Sequence, residues 1–256
     1  MTPDKAHAVD LHSRQAPMFE ERYQRLRESP YSSTFTYGRK KIAELMDEVV
    51  RGLPEGARAL DVGCGTGYDV YHLRQRGLAV TGVEPAPEMR KRAREANPDC
   101  EIVDGDIESL PFPDGRFDFA IAIEVIRYLH DPRHGVGELF RVLKPGGVAF
   151  VTAAPRWSLS GYSLINQLVG RVKVPTFVKV RQSFLSVGEA RDLFLEAGFQ
   201  TVETHGVFLG PWQGIGRLSG TLLAKLLRAY EPFDDYLSNR GPLRDLANHL
   251  VILARK

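Results

Sequence analysis

Only two cysteines, Cys64 and Cys100, occur in the 256 residues, and neither has histidine or acidic company at metal-ligand spacing. A disulfide framework and a zinc module are thereby excluded, and a reducing, cytoplasmic compartment is expected, with both thiols as small buried side chains. A one-sided charge is missing too, because 34 Lys and Arg face 32 Asp and Glu. A formal charge of +2 gives no global electrostatic footprint for nucleic acid, so no nucleic-acid partner is expected. No apolar run approaches the ~20 residues of a membrane span, and the opening "MTPDKAHAVDLHSRQAP" lacks the apolar centre of a signal peptide. Fixed-period repeats and low-complexity tracts are also lacking, which sets solenoids and linker architectures aside.

What is present is an ordinary globular composition, 43% hydrophobic and 26% charged, long enough for a full core. "TYGRKKIAELMDEVVRGL" places Ile42, Leu45, Met46, Val49 and Val50 at helical spacing. Short apolar strands then alternate with helices: "ARALDVG", "YDVYHLRQRG", "AVTGVE", "PAPEMRKRAREANP", "EIVDGD", "DFAIAIE", "DPRHGVGELFRVL" and "VAFVTAA". Continuously apolar strands separated by helices indicate a sheet covered on both faces. Ser186 and Glu189 have capping-box spacing ahead of the helix "SVGEARDLFLEAGF". Two late strands, "QTVETHGVFLG" and "NHLVILARK", flank a helical insert. The predicted fold is α/β: a doubly wound, Rossmann-like, mixed seven-stranded sheet, with a helical cap and an insert before the last strand. One domain over 1–256 is expected, with a helical cap over 1–52, a ligand-binding core over 53–154, and substrate-side helices and final strands over 155–256.

Right-handed crossovers bring the strand-to-helix turns of such a sheet to one edge, where ligands bind. In "ALDVGCGTGYDV", Asp61, Gly63, Gly65 and Gly67 form D-x-G-x-G-x-G at the first of these turns, where missing Cβ atoms let a ligand approach the backbone. The dinucleotide pattern G-x-G-x-x-G fails because Tyr68 stands at its last position, and no Gly-Lys-Ser/Thr phosphate loop follows. Glu84 ends the second strand beside this turn, where a carboxylate can accept hydrogen bonds from a ribose diol. A tight turn without a ligand and a solvated strand end are the plain alternatives for the two features.

The run "LDVGCGTG", the acid of "GVEPAPEM", the block "GDIESLPFPDGRFD" and the turn "LFRVLKPGG", in this order, resemble the class I S-adenosylmethionine-dependent methyltransferases. The likeness is nearest to the small-molecule group that includes the ubiquinone and menaquinone biosynthesis enzymes, and it covers about residues 37 to 154. It implies S-adenosylmethionine as cofactor, with Asp61 to Gly67, Cys64 and Gly65 included, wrapped around its methionine and ribose portions. It also implies that Glu84, with Pro85 beside it, holds the ribose hydroxyls, that Asp106 and Ile107 meet the adenine, and that Glu124 lies near the methionine end. Where relatives often carry a hydroxyl residue after the ribose acid, this chain has "PAPEM". Tyr37 and Arg39 are candidates to close over the cofactor carboxylate, against an ordinary exposed helix start.

Methyl transfer from a sulfonium is an in-line displacement, so positioning supplies much of the rate and a base is needed only when the acceptor must lose a proton. His130 in "EVIRYLHDP" is the leading candidate base, with Tyr128 and His205 behind it; a cap-and-turn role through Asp131 competes. No metal site is expected. The acceptor is read as a small molecule, aromatic, polyketide-like or lipid-like. The stretch from Arg156 to Arg181 carries Trp157, Tyr162 and Phe177 among Arg156, Arg171, Lys173, Lys179 and Arg181, and fits an apolar pocket with a cationic rim, a contact with anionic membrane, or a solvated cap. A non-catalytic binder of the same fold is the rival function, and nucleic-acid methylation is weaker, since "AIEVIRYL" replaces the Asn/Asp-Pro-Pro-aromatic motif of many such enzymes. Oligomeric state is not legible.

Overall fold

A computed structural model describes residues 3–161, 163–164, 182–210 and 220–256. Most of the basic stretch, including Tyr162, Arg171, Lys173, Phe177, Lys179 and Arg181, and the start of the insert lie outside the described residues.

Two helices open the chain, α1 (Pro3–Glu28) and α2 (Thr34–Val50). Ser33 caps α2: its hydroxyl accepts from the Thr36 N–H at 3.1 Å, and Thr36 Oγ1 accepts from the Ser33 N–H at 2.9 Å. This reciprocal pairing satisfies two N–H groups that a helix start otherwise leaves open. Ile42, Met46 and Val50 then recur every four residues on the face that packs on the sheet.

The sheet strands are β1 (Arg58–Val62), β2 (Ala79–Val83), β3 (Glu101–Val103), β4 (Phe117–Ala122), β5 (Leu143–Ala153), β6 (Thr201–Val207) and β7 (His249–Arg255). Between them come α3 (Tyr68–Gln75), α4 (Pro87–Ala96), α5 (Pro132–Val142), α6 (Val187–Glu196) and α7 (Gly220–Leu237). The seven strands stand in the order β3-β2-β1-β4-β5-β7-β6, the doubly wound mixed sheet expected, with β7 antiparallel to both neighbours. The Ser186–Glu189 capping box at α6 forms as its spacing predicts.

Strand β4 shows how the layers are filled. Ala120 and Ala122 belong to the cluster with Leu139 and Phe194, whereas Phe119 and Ile121 belong to the cluster with Ile42 and Met46. Alternate side chains of one strand thus serve opposite faces. Its neighbours β1 and β5 continue in opposite directions across the sheet, so the turns after β1 and β4 diverge and leave a crevice between them. Because β7 runs antiparallel, its first residues, not its last, lie at that same edge: Leu250 pairs with Ala153 at the end of β5.

Two details differ from the sequence reading. The strand expected over "EIVDGD" stops at Val103, since Asp106 turns the chain: its Oδ1 accepts from the Glu108 N–H at 2.9 Å and its carbonyl from the Ser109 N–H at 2.9 Å. "KPGG" is no free stop but an irregular start of β5, where pairing steps from Phe117–Leu143 to Phe119–Val148. The N-terminal residues, hardly readable from their pattern, form the 26-residue helix α1, whose Ala16 is buried against Ala86 and Met89. No helix of the described residues is long and apolar enough to cross a membrane.

Candidate active site

The crevice is a cavity of about 630 Å³, within the size range of small-molecule sites. Its floor is the turn after β1. The N–H groups of Gly63 and Cys64 donate to the Val83 carbonyl at 2.7 and 3.0 Å, which ties this turn to the end of β2. Gly63 and Gly65 line the cavity, both with positive φ, +71° and +55°. A Cβ on Gly65 would meet no protein atom within 4 Å, so the space beside it is cavity.

Glu84 is 6% exposed and completes the floor. Its Oε2 accepts from the Gly65 N–H at 2.9 Å and its Oε1 from the Ala86 N–H at 2.8 Å. Burial pushes its carboxyl above the ordinary range, and those two N–H groups oppose the rise. Pro85, Asp106 and Ile107 continue the same wall, joined by Ala86, Met89 and Leu129. That wall is an apolar slot with a carboxylate at its edge.

At the other end Arg39, 4% exposed, pairs with Asp69 at 2.5 Å over the Tyr23 ring. Its Nε and Nη1 have no partner among the described residues, although the residue lines the cavity. A buried guanidinium with two unpaired nitrogens fits a ligand carboxylate. Asp61 lies beneath, 2% exposed; burial and the Asp69 charge drive its carboxyl well above the ordinary range, while Arg39 and the Val70 N–H act the other way.

Glu124 follows β4 with φ +62°, a conformation few non-glycine residues adopt, and it lines the cavity. The turn is held by its N–H, which donates to Thr152 Oγ1 at 2.7 Å. Its carboxylate pairs with Arg127 and accepts from His249 Nδ1 at 3.0 Å. Burial alone would raise its pKa, but Arg127 and His249 outweigh burial and hold it far below the ordinary range.

The sequence candidates thus separate. Arg39, Gly63, Gly65, Glu84, Pro85, Asp106, Ile107, Glu124 and Tyr128 border one cavity. Asp61 stands under the floor and shapes it. Gly67 is not a cavity residue: at φ +84° its Cβ would fall 2.4 Å from Asn97 Nδ2 and 3.0 Å from Ala93 Cα, so glycine there lets α3 start against α4. Cys64 is also displaced from the expected role, buried with its Sγ facing Gly82 in the core. Tyr37 does not close over the cavity either. It is fully buried, its hydroxyl donates to Asp234 Oδ2 at 2.8 Å, and its ring packs edge-on against Phe208. His130 is corrected most plainly: Asp131 caps α5 by accepting from the Arg133 N–H at 3.0 Å, and the chain entering that cap leaves His130 exposed and off the cavity wall. His205, on β6, is off the wall as well.

Several wall residues had no signal in the sequence. Helix α1 contributes His12, Phe19, Arg22 and Tyr23, and Phe35, Phe208, Asn248 and His249 close the far side. His12 donates from Nδ1 to the Ala8 carbonyl at 2.8 Å and meets Tyr128 edge-on at 5.0 Å. Burial lowers its pKa. The antiparallel sense of β7, once known, is the cue that would have drawn attention to His249.

A glycine turn after β1, an acid after β2, an apolar slot with an acid after β3 and a buried arginine together define a site for an adenosyl ligand with an amino-acid tail. Comparison with known proteins agrees. Residues 60–151 match the family described as a methyltransferase domain. A malonyl-[acyl-carrier protein] O-methyltransferase of Serratia marcescens is 38% identical over 104 residues, 41% of each chain. A 2-methyl-6-phytyl-1,4-hydroquinone methyltransferase of Synechocystis is 39% identical over 188 residues, 66% of this chain and 58% of that one. A solved structure from Thermotoga maritima, described as a possible histamine N-methyltransferase, superposes with a TM-score of 0.64 at 23% identity, covering 95% of this chain and 97% of that chain, and shows the shared fold. The matches span about two fifths to three fifths of the length of the curated relatives. Residues 60–151 of the chain thus resemble a methyltransferase domain, and the curated relatives that they match are named as methyltransferases.

Proposed function

We propose that this chain transfers a methyl group from S-adenosylmethionine to a small molecule with an aromatic or lipid-like body. The carrying observation is that the cavity is lined by more than the cofactor candidates: Phe19, Phe35 and Phe208 also border it, with Arg22 and Arg127 on its wall. Arg22 lies over the Phe19 and Phe35 rings at 5.6 and 5.4 Å, a cation beside an apolar mouth. The name of one relative, a methyltransferase of a phytyl-substituted hydroquinone, supports an acceptor of this kind.

When bound, the cofactor supplies a methyl group on a positively charged sulfur with a good leaving group already in place. The chain does the rest by binding and orientation. Glu84 accepts from the ribose hydroxyls, Asp106 and Ile107 frame the adenine, and the unpaired Arg39 nitrogens hold the carboxylate. Aromatic walls exclude water and fix the acceptor in line, which is where catalysis by positioning acts.

A non-catalytic binder of this fold would have the space for an acceptor filled by its own side chains, and a cavity of about 630 Å³ with these aromatic walls argues for the enzyme. A cytoplasmic setting is part of the same proposal. So is a peripheral contact with anionic membrane, supported by exposed Trp157, Leu159 and Leu164 leading into the basic stretch. Sedimentation with anionic vesicles at low salt tests that contact, and failure to sediment discards it. The function itself is tested by incubating the purified protein with radiolabelled S-adenosylmethionine and cell extract: label should move to a small organic-soluble product, and label confined to protein or nucleic acid would refute the reading.

A further inference from the structure

One polar group on the cavity wall is a histidine held by a carboxylate. His249 opens β7 at the ligand edge, and its Nδ1 lies 3.0 Å from Glu124 Oε1. Glu124 is itself fixed three ways: its N–H on Thr152 Oγ1, that hydroxyl back on Oε1 at 3.3 Å, and Arg127 on Oε2. A carboxylate held ionised beside Nδ1 selects the tautomer with hydrogen on Nδ1, and so leaves the lone pair on Nε2. The His249 ring lines the cavity, and Nε2 makes no hydrogen bond within the described residues.

Helix α2 makes room for that atom. Gly38 is buried in the helix interior, where glycine costs roughly 0.5–1 kcal/mol against alanine. A Cβ there would stand 3.2 Å from His249 Nε2 and 3.4 Å from its Cδ2. The Nε2–Cδ2 edge of the ring therefore packs close to α2, and glycine at position 38 is what spares it a side-chain contact there. The charged or titratable groups around the imidazole are Glu124 and Arg127 after β4 and, acting on the Glu124 charge from the opposite wall, Arg39 of α2 and Tyr23 of α1.

We propose that His249 is the general base of this site, with Glu124 as its positioning residue, and that the acceptor is methylated on a hydroxyl oxygen. The inference rests on the methyl-transfer reading. The acceptor O–H bond breaks with its proton passing to Nε2, and the oxygen forms the new O–CH₃ bond. The C–S bond of the sulfonium donor breaks with its electron pair left on sulfur, so that the donor leaves as a neutral thioether. The imidazolium formed keeps its Nδ1–H on the Glu124 carboxylate. An amine acceptor already carrying a free lone pair would need none of this, so the dyad suits an acceptor that must lose a proton, of which a hydroxyl is the one proposed.

The test has two parts. In protein labelled with ¹⁵N-histidine and saturated with S-adenosylhomocysteine, long-range proton–nitrogen spectra, assigned with His249→Asn, should show His249 protonated at Nδ1 and unprotonated at Nε2 at mildly alkaline pH. Glu124→Gln, which offers an amide donor to Nδ1, should shift the ring toward the Nε2–H form. A wild-type ring protonated at Nε2, or one indifferent to Glu124→Gln, overturns the proposal. Methyl transfer to phenol and to 4-nitrophenol, the second already ionised at that pH, then reads the role: His249→Asn should lose about 10²–10⁴-fold on phenol, and at least roughly tenfold less on 4-nitrophenol. Equal losses on both, no loss on phenol, or no transfer by the wild type to either overturns it. Absence of S-adenosylhomocysteine binding would instead refute the methyl-transfer reading, and the tautomer result separates the two failures.

Discussion

Gly65 and Gly67 stand two residues apart in one turn, both with positive φ, yet alanine should do opposite things at the two positions. An L-residue in this region costs about 1–2 kcal/mol in backbone strain at either site. At Gly65 that is the whole cost to folding, because the new Cβ meets no protein atom within 4 Å. The methyl would instead stand in the cavity, against the cofactor. At Gly67 the Cβ lands 2.4 Å from Asn97 Nδ2 and 3.0 Å from the Ala93 Cα, so overpacking of about 1–3 kcal/mol is added to the strain. Urea unfolding should therefore place Gly67→Ala below Gly65→Ala in stability. Calorimetry with S-adenosylhomocysteine on the folded proteins should show the reverse order in affinity, with Gly65→Ala weakened by at least tenfold, about 1.4 kcal/mol. Full affinity in Gly65→Ala, or equal stability in the two variants, would refute the assignment of one glycine to the ligand and the other to helix packing.

The other predictions follow from the same contacts. Tyr37→Phe leaves Asp234 Oδ2 without its donor in a buried setting, so unfolding should show a loss of about 1–3 kcal/mol while S-adenosylhomocysteine affinity stays unchanged. Asp61 has a raised pKa in the folded state, so its contribution to stability is fully present below the ordinary aspartate range and is lost as pH rises through the folded value. Melting of the cofactor-free protein should accordingly be steeper with rising pH for the wild type than for Asp61→Asn, and parallel profiles would contradict the shift. His130→Ala, at an exposed position off the cavity, should leave both affinity and stability within a few tenths of a kcal/mol, as calorimetry and urea unfolding would show.

What the sequence made legible was local. The turn after β1, the acid Glu84 at the end of β2 and the Ser186–Glu189 capping box depend on residues within a few positions of one another, and each appears where its spacing places it. The doubly wound α/β arrangement followed from alternation and handedness. The partners that hold Tyr37 and Glu124 lie far along the chain: Asp234 is 197 residues from Tyr37, and His249 is 125 from Glu124. No local pattern encodes such pairs. Helix α1 was equally obscure, because its buried contacts are few, and what holds it over the cavity is Ala16 on Ala86 and Met89, with Tyr23 stacked on Tyr68 at 4.7 Å. His130 misled because its position after β4 was right while the direction of its side chain was set by the Asp131 cap.

The most direct test of the account is a crystal structure with S-adenosylhomocysteine, paired with calorimetry of the wild type and Glu84→Ala. The account predicts one ligand per chain, its ribose hydroxyls on Glu84, its adenine between Asp106 and Ile107, its carboxylate on Arg39, and a marked loss of affinity in Glu84→Ala. A ligand seated elsewhere, or an unchanged affinity in that variant, would contradict it.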